Sequence, residues 1–312
     1  MGDLSREPVS LLISYWYFQN DGQIRQVIDA AQAAADKGKT VRILVDSGAF
    51  SAHSQGFDIR LADYASWLEE VAPALRDWLV GAITLDVLND EAQSWDNWAA
   101  LQRRGLDTIP VVHLHARADV VDRYVDAGVD WVALGAMVGQ PFPTKFAWAA
   151  WIHRHLRDRH PHVRTHGLGA TSQRMTETIP WWSVDSSSFG SGFRYGRARL
   201  YDPATRKIVA VPVDGSADIH RHGRLLRDVY GIDPAAVRKS GSGNRDLLLA
   251  AAARAVLLWQ TDLRAGRPIP APASQTADGP HIHAVNSSPK GDAATIRAAT
   301  AIHASTPEGS NP

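Results

Sequence analysis

Short apolar runs rich in β-branched and aromatic residues recur along the first two thirds of the chain. They lie at residues 10–15, 41–46, 82–87, 109–114, 131–134, 163–167 and 181–185. Runs of this length predict strands buried on both faces. Amphipathic stretches separate them, at 23–37, 59–71, 95–104, 118–127 and 145–157, with a short one near Gln173. Apolar residues there recur at helical spacing. Strands alternating with helices predict a parallel α/β fold. The count and spacing suit a (β/α)8 TIM-like barrel better than an open sheet. No predicted strand leads into a GxGxxG turn with an acidic residue after it, which argues against a dinucleotide-binding fold.

The alternation stops after residue 185. A Ser/Gly/Arg-rich segment follows, then two runs at 197–201 and 207–213 around a polar turn, which predict a β-hairpin inserted after the seventh strand. A helix is predicted at about 216–229, and an Ala/Leu-rich helix at 244–263 is placed to close the barrel. From residue 266 onward Pro, Ala, Ser, Thr and Gly dominate, so 268–312 reads as a disordered C-terminal tail. The expected organisation is a catalytic barrel domain over 1–266 and a flexible tail over 267–312. There is no internal repeat.

In a parallel barrel the reacting groups sit where strands end and loops begin. Those positions carry Asp46-Ser47-Gly48, Asp86, His113-Leu114-His115, Gly135-Ala136, His166-Gly167 and Asp185. Any one such Asp is as readily a helix N-cap. Three carboxylates at one mouth, with Gly and Ser beside Asp46 and Ser beside Asp185, are harder to explain by capping.

Composition narrows the chemistry. The chain of 312 residues has no cysteine, which removes disulfides, thiolate metal sites and a thiol nucleophile together. Its formal charge is zero, so a nucleic-acid partner must be argued from local patches. No apolar run is long enough to cross a bilayer, and the first residues lack a signal-peptide pattern. A cytoplasmic protein is expected.

The motifs carry a resemblance over about residues 10–195. Asp46-Ser47-Gly48-Ala49-Phe50-Ser51 resembles the Asp-Ser-Gly-Gly-aromatic-Gln motif of tRNA-guanine transglycosylases. Leu134-Gly135-Ala136-Met137-Val138-Gly139 resembles that family's Gly-rich loop, and Asp185 falls at its nucleophile strand. The set is most similar to the DpdA-like branch, which modifies DNA in phages and bacteria, through Asp46–Phe50, His166–Gly169 and Ser183–Ser188. The tRNA enzymes carry a cysteine-rich zinc site that this chain cannot build, and Ser51 replaces the motif's Gln.

The resemblance implies a base exchange that replaces guanine in DNA with a free 7-deazaguanine, such as 7-cyano-7-deazaguanine. Asp185 would attack the sugar and Asp46 would move the proton. Ser47, Phe50, Asp86, His113, Gly135, Ala136 and His166 would hold the base. Arg194, Arg197 and Arg199 would hold phosphates, with a second basic stretch over residues 220–245. Helper proteins that open the duplex are a further partner it implies. No cofactor and no metal are expected. His113-x-His115 has metal-ligand spacing, which leaves a metal-dependent barrel hydrolase as an alternative. Action on tRNA and a non-catalytic nucleic-acid-binding role are the others. His281-x-His283, in the predicted tail, reads as incidental.

Overall fold

The computed structural model describes residues 4, 7–170, 172–186, 196–213, 217–238, 242–266 and 281–285. Its centre is an eight-stranded sheet in which every paired neighbour is parallel. The strands are β1 Val9–Ser14, β2 Val41–Asp46, β3 Leu79–Ala82, β4 Val111–His113, β5 Trp131–Gly135, β6 Arg164–Gly167, β7 Ser183–Ser186 and β10 His281–Val285. Their order is β3-β2-β1-β10-β7-β6-β5-β4. The two end strands are also linked. Ile83, just beyond β3, forms a parallel bridge with Ile109, just before β4. Ile109 N–H donates to the Ala82 carbonyl at 2.7 Å, and Thr84 N–H donates to the Ile109 carbonyl at 2.9 Å.

The helices between strands are α1 Asp21–Ala35, α2 Ala49–His53, α3 Leu61–Leu75, α4 Glu91–Arg103, α5 Ala118–Asp126, α6 Phe142–Arg159 and α7 Gln173–Thr178. Period-two alternation sorts the strand side chains. Leu12 and Leu44 pack with Ile83, Ile109, Val111 and Trp131 on one face of the sheet. Leu11, Ile13, Ile43 and Val45 point the other way and bury Ile24 and Val27 of α1 and Leu68 of α3. Strands covered on both faces explain the continuous apolar runs.

An antiparallel hairpin, β8 Arg197–Asp202 and β9 Lys207–Pro212, follows β7 as predicted. The helix expected at 216–229 is instead two short irregular turns, Ala217–His222 and Leu225–Val229. A 25-residue helix, α8 Ser242–Gly266, then leads back to the sheet. No helix among the described residues is long and apolar enough to cross a membrane.

The largest correction concerns the predicted tail. Residues 281–285 are not disordered: they form β10, which fills the place between β1 and β7. The domain boundary at 266 is therefore wrong, because a strand of the sheet lies beyond it. It is also this strand, and not α8, that completes the sheet. Gln260 of α8 explains how so polar a strand docks. Its fully buried amide donates to Glu7 Oε2 at 3.0 Å and accepts from Ile282 N–H at 3.0 Å, tying β10 to the entry of β1.

Candidate active site

Because the strands are parallel, their carboxyl ends share one edge of the sheet. Asp46 closes β2, Asp86 follows β3, His113 closes β4, Gly135 closes β5 and Asp185 lies near the end of β7. Asp46 feels the charges of the other two. Burial raises the Asp46 carboxyl, and the negative charges of Asp86 and Asp185 raise it further. The N–H groups of Gly48 and Ser47 offset only part of this, so Asp46 titrates at about 7. Beneath it Tyr64 is fully buried, with its hydroxyl donating to the Ile83 carbonyl at 2.6 Å.

Asp46 and Asp185 are each clasped by a glycine. Gly48 N–H donates to Asp46 Oδ2 at 3.0 Å, and Gly169 N–H donates to Asp185 Oδ1 at 2.7 Å. Both glycines have left-handed backbones, with φ of 77° and 64°. At Gly48 there is also no room for a side chain, since a Cβ would lie 2.3 Å from Ser14 Oγ and 2.6 Å from Trp16 Cβ. Gly48→Ala is expected to cost about 2–4 kcal/mol, combining left-handed strain with overpacking. Urea denaturation with an unchanged midpoint would contradict that.

Neither Asp46 nor Asp86 caps a helix among the described residues by its side chain. The N-cap of α2 is Gly48, and that of α4 is Asp90, whose carboxylate accepts from Gln93 N–H at 2.9 Å. Asp86 instead faces His113, with Oδ2 2.8 Å from Nε2. On the other side of the ring Glu91 Oε1 lies 3.3 Å from Nδ1 and accepts from the His113 backbone N–H at 3.0 Å. Burial alone would lower the imidazole. The hydrogen bonds and charges of Asp86 and Glu91 outweigh burial and raise it to about 9. His113 is thus a buried cation at neutral pH, and it orients Asp86. Its raised value means that its stabilisation is complete below about pH 6.5 and is lost as pH rises through 9. His113→Gln should abolish that loss, worth about 3 kcal/mol in the wild type. Unfolding free energies at pH 6.5 and 9.5 check this. An equal decline in the variant would place the titration elsewhere.

Two expected base contacts are corrected. His166 is completely buried, with Nδ1 2.7 Å from Ser183 Oγ and Nε2 3.3 Å from Asp185 Oδ1. It lies enclosed beside Asp185. Ser47 is also completely buried, and its hydroxyl accepts from Ala49 N–H at 3.3 Å, so it shapes the turn. Phe50, by contrast, is 49% exposed on α2. Gly135 is tightly enclosed, since a Cβ there would meet Val111 at 2.8 Å, and Ala136 takes a left-handed φ of 57°. His115 is exposed and also left-handed, with φ of 77°. His113 and His115 therefore do not converge as a ligand pair.

Arg197 and Arg199 share one face of β8, opposite the buried Ala198 and Leu200. Arg194 lies outside the described residues. In the second basic stretch Arg221 and Arg224 pair with Asp218 at 3.3 Å and Asp228 at 3.9 Å. Exposed pairs of this kind are the ordinary fate of surface charge.

Sequence reasoning missed Glu91, Tyr64 and His283. Glu91 resembles any acid in a helix's first turn, and Tyr64 any core aromatic. His283 is paired in register with Asp185. Its ring lies 5.7 Å from that of His166, and its Nδ1 lies 3.2 Å from the Leu11 carbonyl. Burial, reinforced by His166, pushes its imidazole down to about 3. A carbonyl only accepts, so the neutral ring carries its proton on Nδ1.

No protein-family model and no curated protein matches the chain. Among solved structures, the YdjI aldolase of Escherichia coli K12 aligns over 94% of this chain and 87% of its own, at 10% identity and a TM-score of 0.29. A likeness at that level carries no argument about activity. The architecture is a parallel α/β fold consistent with a TIM-like one.

Proposed function

We propose that the protein is a base-exchange transglycosylase built on a closed (β/α)8 barrel. It replaces guanine in DNA with a free 7-deazaguanine such as 7-cyano-7-deazaguanine. The observation that carries this reading is the pairing of Asp185, aimed by Gly169 N–H and with His166 Nε2 3.3 Å away, with an Asp46 that titrates at about 7 in the same field of charge.

An exchange of bases at one sugar needs a nucleophile that holds the sugar and a second group that moves a proton both ways. The Asp185 carboxylate attacks C1′, the bond from C1′ to the guanine nitrogen breaks, and Asp46 gives its proton to the departing base. The incoming base then surrenders its ring N–H proton to Asp46 and attacks C1′, which frees Asp185. Asp46 begins and ends protonated, and a pKa close to ambient pH suits both directions. Asp86, fixed through Oδ2 by His113, offers its other oxygen to the N–H edge of a guanine-like ring. Phe50 is available to stack on the base, and the Arg197 and Arg199 face of β8 to phosphates. The target nucleotide must leave the stack to reach the carboxylates.

The test is to incubate the protein with duplex DNA, single-stranded DNA or tRNA carrying labelled guanine, with and without a 7-deazaguanine base. Base-dependent release from DNA is expected. Release from tRNA alone would overturn the choice of substrate, and release from none of them would overturn the reaction.

A further inference from the structure

Away from the carboxyl edge of the sheet, two helices bring three ligating side chains to one point. Asp122 lies on α5, His155 lies in the last part of α6, and His160 is the residue that ends α6. Nε2 of His155 is 2.6 Å from Asp122 Oδ1, and Nε2 of His160 is 2.7 Å from the same oxygen. The donor atoms of all three lie within 4.8 Å of one another. All three side chains are largely sheltered, with 25%, 17% and 15% of their surface exposed for Asp122, His155 and His160. Among the described residues this is the one group of three or more acidic or histidine side chains so placed.

We infer that Asp122, His155 and His160 form a binding site for a divalent transition ion, with zinc the best match. Two imidazoles and one carboxylate are a donor set for zinc and its neighbours, whereas calcium and magnesium take oxygen donors. Both rings already present the same atom, Nε2, to the same place. When the ion enters, each neutral ring keeps its one proton by moving it to Nδ1 and offers the Nε2 lone pair. Donors around a tetrahedral ion, each bound at about 2.0–2.1 Å, stand roughly 3.3 Å apart. The two nitrogens therefore need to draw back from the oxygen by only about 0.6 Å, within the reach of side-chain rotation. A fourth position is open to water or to the exposed His162, whose ring lies 6.4 Å from that of His160.

The position indicates what the ion does. A helix that follows a strand of this sheet runs back from the carboxyl edge. His155 and His160 stand at the far end of α6, so the site is remote from Asp46 and Asp185. An ion there clamps α5 to the end of α6 across β5, and its effect is on stability. The chain's lack of cysteine leaves no thiolate to compete for the metal.

The experiment uses untagged full-length protein stripped with a chelator, with zinc and cobalt chlorides as probes. Calorimetry should find one equivalent of zinc bound with a Kd near or below about 1 μM, and cobalt should give the visible spectrum of a four-coordinate nitrogen and oxygen site. At a hundredfold excess over Kd, Tm should rise by roughly 5 °C. His155→Ala and His160→Ala should each lose binding at least tenfold. Asp122→Asn keeps an oxygen acceptor for the two rings and removes the charge. It should fold like the wild type and also bind at least tenfold more weakly. Absence of saturable binding below about 100 μM would overturn the inference, as would an equivalent that survives all three substitutions. His113→Gln serves as a control, since loss of binding there would move the metal to the carboxylate cluster.

Discussion

Asp185→Asn is expected to fold normally and, on the proposed mechanism, to lose base exchange by ~10³-fold or more, because it removes the carboxylate that would bond to the sugar. The amide oxygen of Asn still accepts from Gly169 N–H, so the loop that now donates at 2.7 Å should stay in place. The substitution therefore separates chemistry from architecture. A second readout is independent of turnover. Wild-type protein mixed with labelled DNA in the absence of an incoming base should carry label through denaturation, as a covalent glycosyl-enzyme does. The variant should carry none. Exchange within tenfold of wild type would remove Asp185 as nucleophile.

Asp46→Asn should have two effects of opposite sense. Exchange should fall by about 10²–10⁴-fold, the usual contribution of a positioned proton-transfer group. Its pH profile should also lack the limb centred near 7 that the proposal expects of the wild type. Stability should rise. A carboxyl raised from 3.8 to about 7 contributes most to the folded state below pH 3.8, and that contribution is lost as pH climbs through 7. Above pH 8 the wild type therefore bears the cost of an enclosed anion beside Asp86 and Asp185, up to about 4 kcal/mol, which Asn does not. Urea unfolding at pH 8.5 should favour the variant clearly, with the difference shrinking below pH 5. A variant less stable than wild type at pH 8.5 would mean that burial and the neighbouring charges do not burden the Asp46 anion as its surroundings require. A gain in stability bought with activity is a common signature of a functional site.

The sequence made the sheet legible where side chains on both faces are apolar. Residues 41–46 are β2 as predicted, and β5 and β6 differ from expectation by a residue at one end. It misplaced β3, because Leu79–Ala82 is only partly buried while the apolar residues just beyond it form the bridge to Ile109. It missed α2, whose five residues follow a left-handed glycine and are too few to show a period. It missed β10 for a different reason. His281 and His283 point into the sheet's interior, where Nδ1 of His281 meets Arg264 at 2.8 Å and Nε2 meets Arg42 at 2.7 Å. A strand whose inward side chains are histidines carries no apolar alternation, and Pro- and Ser-rich neighbours hide it further.

The candidate site divided along the same line. Acids at strand ends could be found by position alone, and all three came to one edge. What holds them could not. Glu91 reaches His113 from a helix start, and His166 turned inward when a contact with substrate was expected. Such supporting contacts depend on where loops fall in space, and no spacing in the chain encodes them.

The position of β10 has a consequence for how the protein is made. Leu11 must wait for Ala284, about 270 residues later, before β1 gains its second neighbour. At ordinary rates of synthesis that interval is roughly 15–50 s. Over the last part of it, once β7 has been made, the growing chain has β1 and β7 without the strand that lies between them, and Asp185 lacks the strand that pairs beside it. A chain released early cannot supply that strand from its own sequence. Assembly of the surroundings of Asp185 is thus reserved for chains translated at least as far as residue 285, and a prematurely terminated product is left without them.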